Sequence, residues 1–265
     1  MTGVVFCGWQ TLSADHLYPS VKDFLDYNKN YKYYFLNKYN LMTILAEHYT
    51  SIRAVDVNRV RTKISYSHWD IHLGTDAVMI DRLKVIRDKV GESVTRQEIV
   101  NFYANSDVPL ETKFMLAMIW GHEATEGGRR DGRGPWKLMQ MFKDRTATDA
   151  VIQSVDLSTD DSLMASYRKL DANVHRCGPN FFTKHFYFLG KALGLKNYPL
   201  IFDDRVAKGL IERMLPDAGF LSLVSVSTLR RPEAYIKFLR LAHQIAQAAQ
   251  AKPDQVELFL FGQVS

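Results

Sequence analysis

The amino-acid sequence predicts an all-α protein, and three observations carry that prediction. Apolar residues recur at helical spacing in most of the patterned stretches, giving about ten helical segments and little strand. Helix punctuation is frequent: Thr95-Arg96-Gln97-Glu98 has the capping-box form, Pro179 and Pro253 stand at first-turn positions, and Gly91 and Gly194 stand where helices should end. At 265 residues with 46% hydrophobic content, the chain can bury one large core or two modest lobes around a cleft, so residues 1–265 read as a single two-lobed helical domain.

Residues 1–20 hold short apolar fragments around Val4, Phe6 and Trp9 that suit a small strand or packed arm. Ser20 to His48 reads as one or two helices, with Tyr27, Tyr31, Tyr33, Tyr34 and Tyr39 interleaved with Lys29, Lys32 and Lys38. Such a string can stack against a nucleic-acid strand, although a helix packed through its tyrosine rings with lysine stems outside gives the same pattern and is the stronger reading. Ser65 to His72 reads as irregular or extended chain, and its alternating His68, Asp70 and His72 form a pattern commoner on ordinary loops than at metal sites.

Met79 to Val90 is amphipathic and ends at Gly91, while Thr95 caps a helix through Tyr103. Asp107-Val108-Pro109-Leu110 opens an apolar central helix carrying Phe114, Met118 and Trp120 and stopping at Gly121. The stretch His122 to Trp136 then concentrates Gly127, Gly128, Gly132 and Gly134 with Arg129, Arg130 and Arg133. It reads as a loop, either a plain surface connection or one that closes over a phosphate backbone, and it lacks the Gly-Lys-Ser or Gly-Lys-Thr ending of a P-loop. Lys137 to Lys143 and Thr146 to Ser154 are short helical pieces, and Ser158 caps a helix through Leu170. Pro216 and Gly219 mark a turn, and helices from Glu233 to Gln250 and from Lys252 to Phe261 close the chain.

A net charge of +5 and a pI near 9.0 suit a polyanionic partner without demanding one. Cys7 and Cys177 sit in no metal-type spacing, so neither a zinc site, another cofactor nor a disulfide framework is indicated, and a reducing cytoplasm fits. No basic start followed by a long apolar run and no run of eighteen apolar residues occurs, so neither export nor a membrane span is expected.

The stretch most suggestive of chemistry is His175 to Leu215. A Gly178-Pro179-Asn180 turn starts a helix in which Phe181, Phe182, Phe186 and Phe188 surround Lys184 with rings. Tyr198-Pro199 then forces an extended return, and Asp203 stands as the N-cap of a helix patterned by Val206, Leu210 and Ile211. Nineteen residues separate Lys184 from Asp203, enough for a helix, a turn and a return, so the amine and the carboxylate could meet. Asp204 competes with Asp203 on sequence alone.

This block resembles the helix-hairpin-helix DNA glycosylases, whose pattern is a glycine-containing hairpin, a lysine on the following helix, and a Pro-Val-Asp-x-x-Val segment. The matching residues are Gly178, Lys184 and Pro-Leu-Ile-Phe-Asp-Asp-Arg-Val, and the spacing is similar to that of the bifunctional 8-oxoguanine branch, with Asp-Asp-Arg-Val-Ala closest to its archaeal and bacterial offshoots. Phe182 stands where a second hairpin glycine is common.

The resemblance implies an all-α, two-lobed helix-hairpin-helix fold with the active site in the cleft and the hairpin element at about 159–194. It implies a monomer acting on double-stranded DNA, with Lys184 as nucleophile and Asp203 as the essential acid. Gly178, Asn180, Arg205 and the loop residues Arg129, Arg130 and Arg133 become candidate DNA contacts. Trp120, Trp136, Phe181 and Phe182 become candidate walls for an extruded base. The expected reaction is excision of a modified base, either 8-oxoguanine-like or the glucosylated hydroxymethylcytosine of phage DNA, with strand cleavage by β-elimination as a second activity. A non-catalytic DNA-binding module of the same fold and a helical protein-interaction domain are the alternatives.

Overall fold

In this computed structural model, residues 46–123, 133–214 and 232–262 are described, and they contain twelve helices and one two-stranded antiparallel ribbon. The fold is all-α, as the sequence predicts. The tyrosine- and lysine-rich N-terminal stretch before residue 46, Arg129 and Arg130, and the Pro216–Gly219 turn lie outside the described residues. The described residues fall within one compact unit.

The first helices form a platform. Helix α1 (Tyr49–Ala54) is followed by β1 (Thr62–Lys63), which pairs with β2 (Ser93–Val94) through Thr62↔Val94 and Lys63↔Ser93. Between the strands run α2 (Tyr66–Leu73) and α3 (Ala77–Val90). Helix α2 replaces the irregular chain expected over Ser65 to His72. Tyr66, Trp69 and Leu73 all face inward at helical spacing, and the Trp69 indole donates to Glu123 Oε1 at 2.7 Å. The winding turns Asp70 to Arg87, with which it pairs, while His68 and His72 lie one turn apart with ring centroids at 4.7 Å.

Helix α4 (Arg96–Ala104) begins at the expected capping box: Thr95 accepts from the Glu98 N–H, and Glu98 Oε2 accepts from the Thr95 N–H at 2.7 Å. Helix α5 (Leu110–Glu123) is buried along nearly its whole length and continues past Gly121, where the sequence suggested a stop. Helix α6 (Arg133–Met141) begins inside the stretch read as a loop, and α7 (Arg145–Gln153) follows it. The next helix, α8 (Asp160–Asn173), is capped by Thr159 instead of Ser158, because the Thr159 hydroxyl is the one that accepts from the Ser162 N–H, at 3.1 Å.

The hairpin turn after α8 leads into α9 (Pro179–Ala192), which packs most extensively against α4 and α5. From its far end the chain returns in extended form to α10 (Asp204–Met214). Two contacts fix that return. A Cβ on Gly190 would stand 2.6 Å from Pro199 Cδ, so only glycine lets the strand pass this close to α9. Nearer Lys184, the Phe202 N–H donates to Thr183 Oγ1 at 3.2 Å, and that hydroxyl donates to the Pro179 carbonyl at 2.6 Å. Helix α11 (Pro232–Ala249) holds the return from the other side, its Tyr235 hydroxyl donating to the Leu200 carbonyl at 2.7 Å.

Helix α12 (Pro253–Phe261) packs on α10 and α11 and is tied to α9 by Asp254, which pairs with Lys191 at 2.6 Å and accepts from the Tyr187 hydroxyl at 3.1 Å. Among the described residues, no helix is long and apolar enough to cross a membrane.

The Gly190 crossing should be intolerant of bulk. Gly190→Val is expected to lower the unfolding free energy by about 2 kcal/mol, since the side chain must displace a proline ring held on both sides. Urea denaturation monitored by circular dichroism measures the loss, and an unchanged midpoint would show that the return does not need this close approach.

Candidate active site

Lys184 projects from α9 with only 7% of its surface exposed. Its stem lies across α5 at Gly121, where an added Cβ would stand 2.8 Å from Lys184 Cδ and 3.0 Å from Cε. The role of Gly121 is therefore close approach: a bare backbone gives the lysine a track. The amine donates to the Asn180 carbonyl one turn back, lies 5.8 Å from the centre of the Phe181 ring, and stands 3.8 Å from Asp203 Oδ2.

Asp203 is held by its own helix. Its Oδ1 accepts from the N–H groups of Arg205 and Val206, both at 3.1 Å, which makes it the cap of α10 and leaves Oδ2 turned to the lysine. The neighbouring Asp204 is exposed and accepts from Asn180 Nδ2 at 2.9 Å, which ties the hairpin to α10. Geometry thus separates the two acids that sequence leaves as alternatives for the partner of the amine.

Burial depresses the pKa of Lys184 below the ordinary lysine value, and the carboxylate of Asp203 works in the opposite direction. His122, packed against Phe181 with ring centroids at 4.6 Å, is pushed down to about 4 by burial and then by the charges of Lys137 and Lys184. It is neutral at physiological pH.

Both Lys184 and Asp203 line a cavity of about 340 Å³. Trp120 and Phe181 supply aromatic surface, Phe261 closes one side, and Arg96 and Glu257 lie at its buried base. Arg96 meets Glu257 with two bonds, 2.6 and 3.1 Å, and its guanidinium lies 5.4 Å from the Trp120 ring and 5.2 Å from that of Tyr187. Against the penalty of burial, Glu257 keeps Arg96 protonated. An amine made less basic by burial, beside a carboxylate fixed by backbone donors, can attack an electrophilic carbon while the acid stabilises positive charge developing next to it.

The remaining candidates divide. Trp120, Asn180, Phe181 and Arg205 line the cavity, the last with its guanidinium 5.1 Å from the Phe261 ring. Phe182 does not: it is fully buried, edge-on to Tyr167 at 4.7 Å and 5.5 Å from Phe186, so it belongs to the core. Trp136 also lies off the cavity lining, 48% exposed, with Arg176 5.5 Å from its ring. Gly178 is the N-cap of α9 with open space where a Cβ would stand, and Arg133 is exposed at the start of α6.

Sequence reasoning missed Gly121, Arg96, Glu257, Lys137 and Phe261. Arg96 was visible only as part of a capping box, and nothing local links it to Glu257, 161 positions away. Among the described residues, no group of three or more His, Cys, Asp or Glu side chains is placed to hold a metal ion.

A family model described as "Putative 8-oxoguanine DNA glycosylase OGG-like protein" matches residues 55–261, a span that contains both Lys184 and Asp203 and every lining residue of the cavity. No curated protein and no solved structure matches the chain.

The burial of Lys184 has a consequence for stability. Its folded-state pKa lies below the unfolded one, so burial costs the fold stability at neutral pH, and the cost fades as pH rises through the folded value toward the unfolded one. Lys184→Met should therefore raise the unfolding temperature at neutral pH, and the gain should shrink as pH approaches the ordinary lysine value of 10.5. Thermal melts across this range test it; a variant that melts earlier than the parent at neutral pH contradicts the reading.

Proposed function

The chain belongs to the OGG-like DNA glycosylase family, and on that premise we propose that it extrudes a modified base from duplex DNA and cuts its N-glycosidic bond with Lys184 and Asp203. The observation that carries the reading is the 3.8 Å approach of the Lys184 amine to Asp203 at the edge of a cavity with aromatic walls. Bond cleavage builds positive charge on the sugar, which the Asp203 carboxylate stabilises. The base leaves with the bonding electron pair and takes the proton given up by the Lys184 ammonium, and the neutral amine so formed bonds to C1′. Loss of the amine proton and opening of the sugar ring give a Schiff base. Removal of a C2′ proton then expels the 3′ phosphate, which is the proposed lyase step.

For the substrate we propose an 8-oxoguanine-like base first, in keeping with the family. The cavity volume also leaves room for a bulkier alternative. At about 340 Å³ the cavity falls among pockets of about 300–1,000 Å³ that bury whole drug-sized ligands. A glucosylated hydroxymethylcytosine would use that space, and its removal from phage DNA in the cytoplasm would make the protein a defence enzyme. Free base released from duplexes of each kind decides between them.

Borohydride should trap a covalent adduct between the protein and substrate DNA, and Lys184→Gln should abolish it. Asp203→Asn should reduce base release by about 10²- to 10³-fold while duplex binding persists. If Asp203→Asn leaves base release unchanged, Asp203 is not the acid of the reaction; if no modified duplex in a broad panel loses a base, the chain is a DNA-binding module that has no turnover. Gly121→Ala should lower the single-turnover rate by about ten- to a hundredfold with little change in DNA affinity, because it shifts the amine and not the binding surface. An equal loss in affinity would point to a general disturbance of the fold.

A further inference from the structure

The charges lining the cavity are unequal: Arg96, Lys137, Lys184 and Arg205 face only Asp203, Asp204 and Glu257. Arg96 is engaged by Glu257 and Lys184 by Asp203, while Asp204 accepts from Asn180. Lys137, half-buried on α6, has no carboxylate partner among the described residues. Its ammonium lies 5.5 Å from the centre of the Phe181 ring, the same ring that lies 5.8 Å from the Lys184 amine. One aromatic side chain therefore has two amines as neighbours, and among the described residues only that of Lys184 is answered by an acid.

A lysine at the lining of a cavity with no carboxylate partner among the described residues is a point charge available to an anion that arrives with the ligand. Resting on the glycosylase reading above, we propose that Lys137 binds a backbone phosphodiester flanking the extruded nucleotide and so seats the sugar in front of Lys184. Lys137 acts as a positioning residue. Its stem and the Phe181 ring form one wall, so the phosphate is held on the side of the cavity that carries the nucleophile. The cation at Arg96 cannot take this part, since it is committed to Glu257 and lies at the buried base.

The test uses the full chain and a duplex carrying a tetrahydrofuran abasic analogue, which requires neither base recognition nor turnover. Binding is measured over a series of KCl concentrations for the parent, Lys137→Met and Lys137→Arg. The Met variant should bind about tenfold more weakly and lower the slope of log affinity against log salt by about one, while the Arg variant keeps the parent slope. Melting temperatures establish that the variants are folded, and Lys137→Gln replaces the Met variant should the latter melt early. Equal slopes for the parent and a folded uncharged variant overturn the role of Lys137 and leave the glycosylase reading intact. A parent protein that binds the duplex without salt dependence removes both.

Discussion

The amine of a buried lysine in a site lined by rings is held away from the hydration its charge would prefer, and the rest of this architecture can be understood as the means of holding it. Lys184 has the Asn180 carbonyl, one carboxylate oxygen and the face of Phe181 in place of water. The contact with Asp203 is close enough to matter and too long for a tight ion pair, so the amine remains one whose charge burial disfavours. A short contact with both carboxylate oxygens would fix the proton on nitrogen. Capping prevents that: the donors of Arg205 and Val206 occupy Oδ1 and turn the acid so that one oxygen faces the lysine.

Placing those groups requires three parts of the chain to converge. Helix α9 supplies the amine, α5 supplies the track beneath it at Gly121, and the N-cap of α10 supplies the acid. None of the three is positioned by local sequence alone. The extended return is pinned to α9 at both ends, by Gly190 against Pro199 and by Thr183 against Phe202, so the distance between the two functional groups is set by where these contacts hold the backbone of the return. A segment held at both ends is stiff, which suits a geometry that reactions between neighbouring groups need to within a fraction of an ångström.

Much of this was legible because it is local. The Thr95 capping box, Pro179 at the start of α9, and the Asp203 cap are short-range patterns with one physical solution each, and the chain adopts them. What was illegible depends on partners far away in sequence. Gly121 has the look of a helix stop until Lys184 is seen to cross it. Phe181 and Phe182 are adjacent, yet a helix turns about 100° per residue, so one faces the cavity and the other the core, and composition gives no reason to choose. His68, Asp70 and His72 alternate with Trp69 and Ile71, which hid the spacing of Tyr66, Trp69 and Leu73 and the helix it encodes.

The buried Arg96–Glu257 pair bears on the same problem from below. A guanidinium and a carboxylate removed from water stabilise a fold poorly compared with apolar packing of the same volume, so their place at the base of the cavity calls for another account. Arg96 disfavours the charge on Lys184 and Glu257 favours it, so the pair acts on the amine as a dipole and not as a net charge. A lone arginine there would push the lysine further from protonation, and a lone glutamate would restore it. Paired, they fill the floor with hydrogen-bonding groups already oriented by each other and by the rings of Trp120 and Tyr187, while the amine's basicity is left mainly to burial and Asp203. In the proposed reaction Asp203 then meets two positive charges in succession, first the ammonium and later the sugar, without moving, because the cap of α10 fixes it for both.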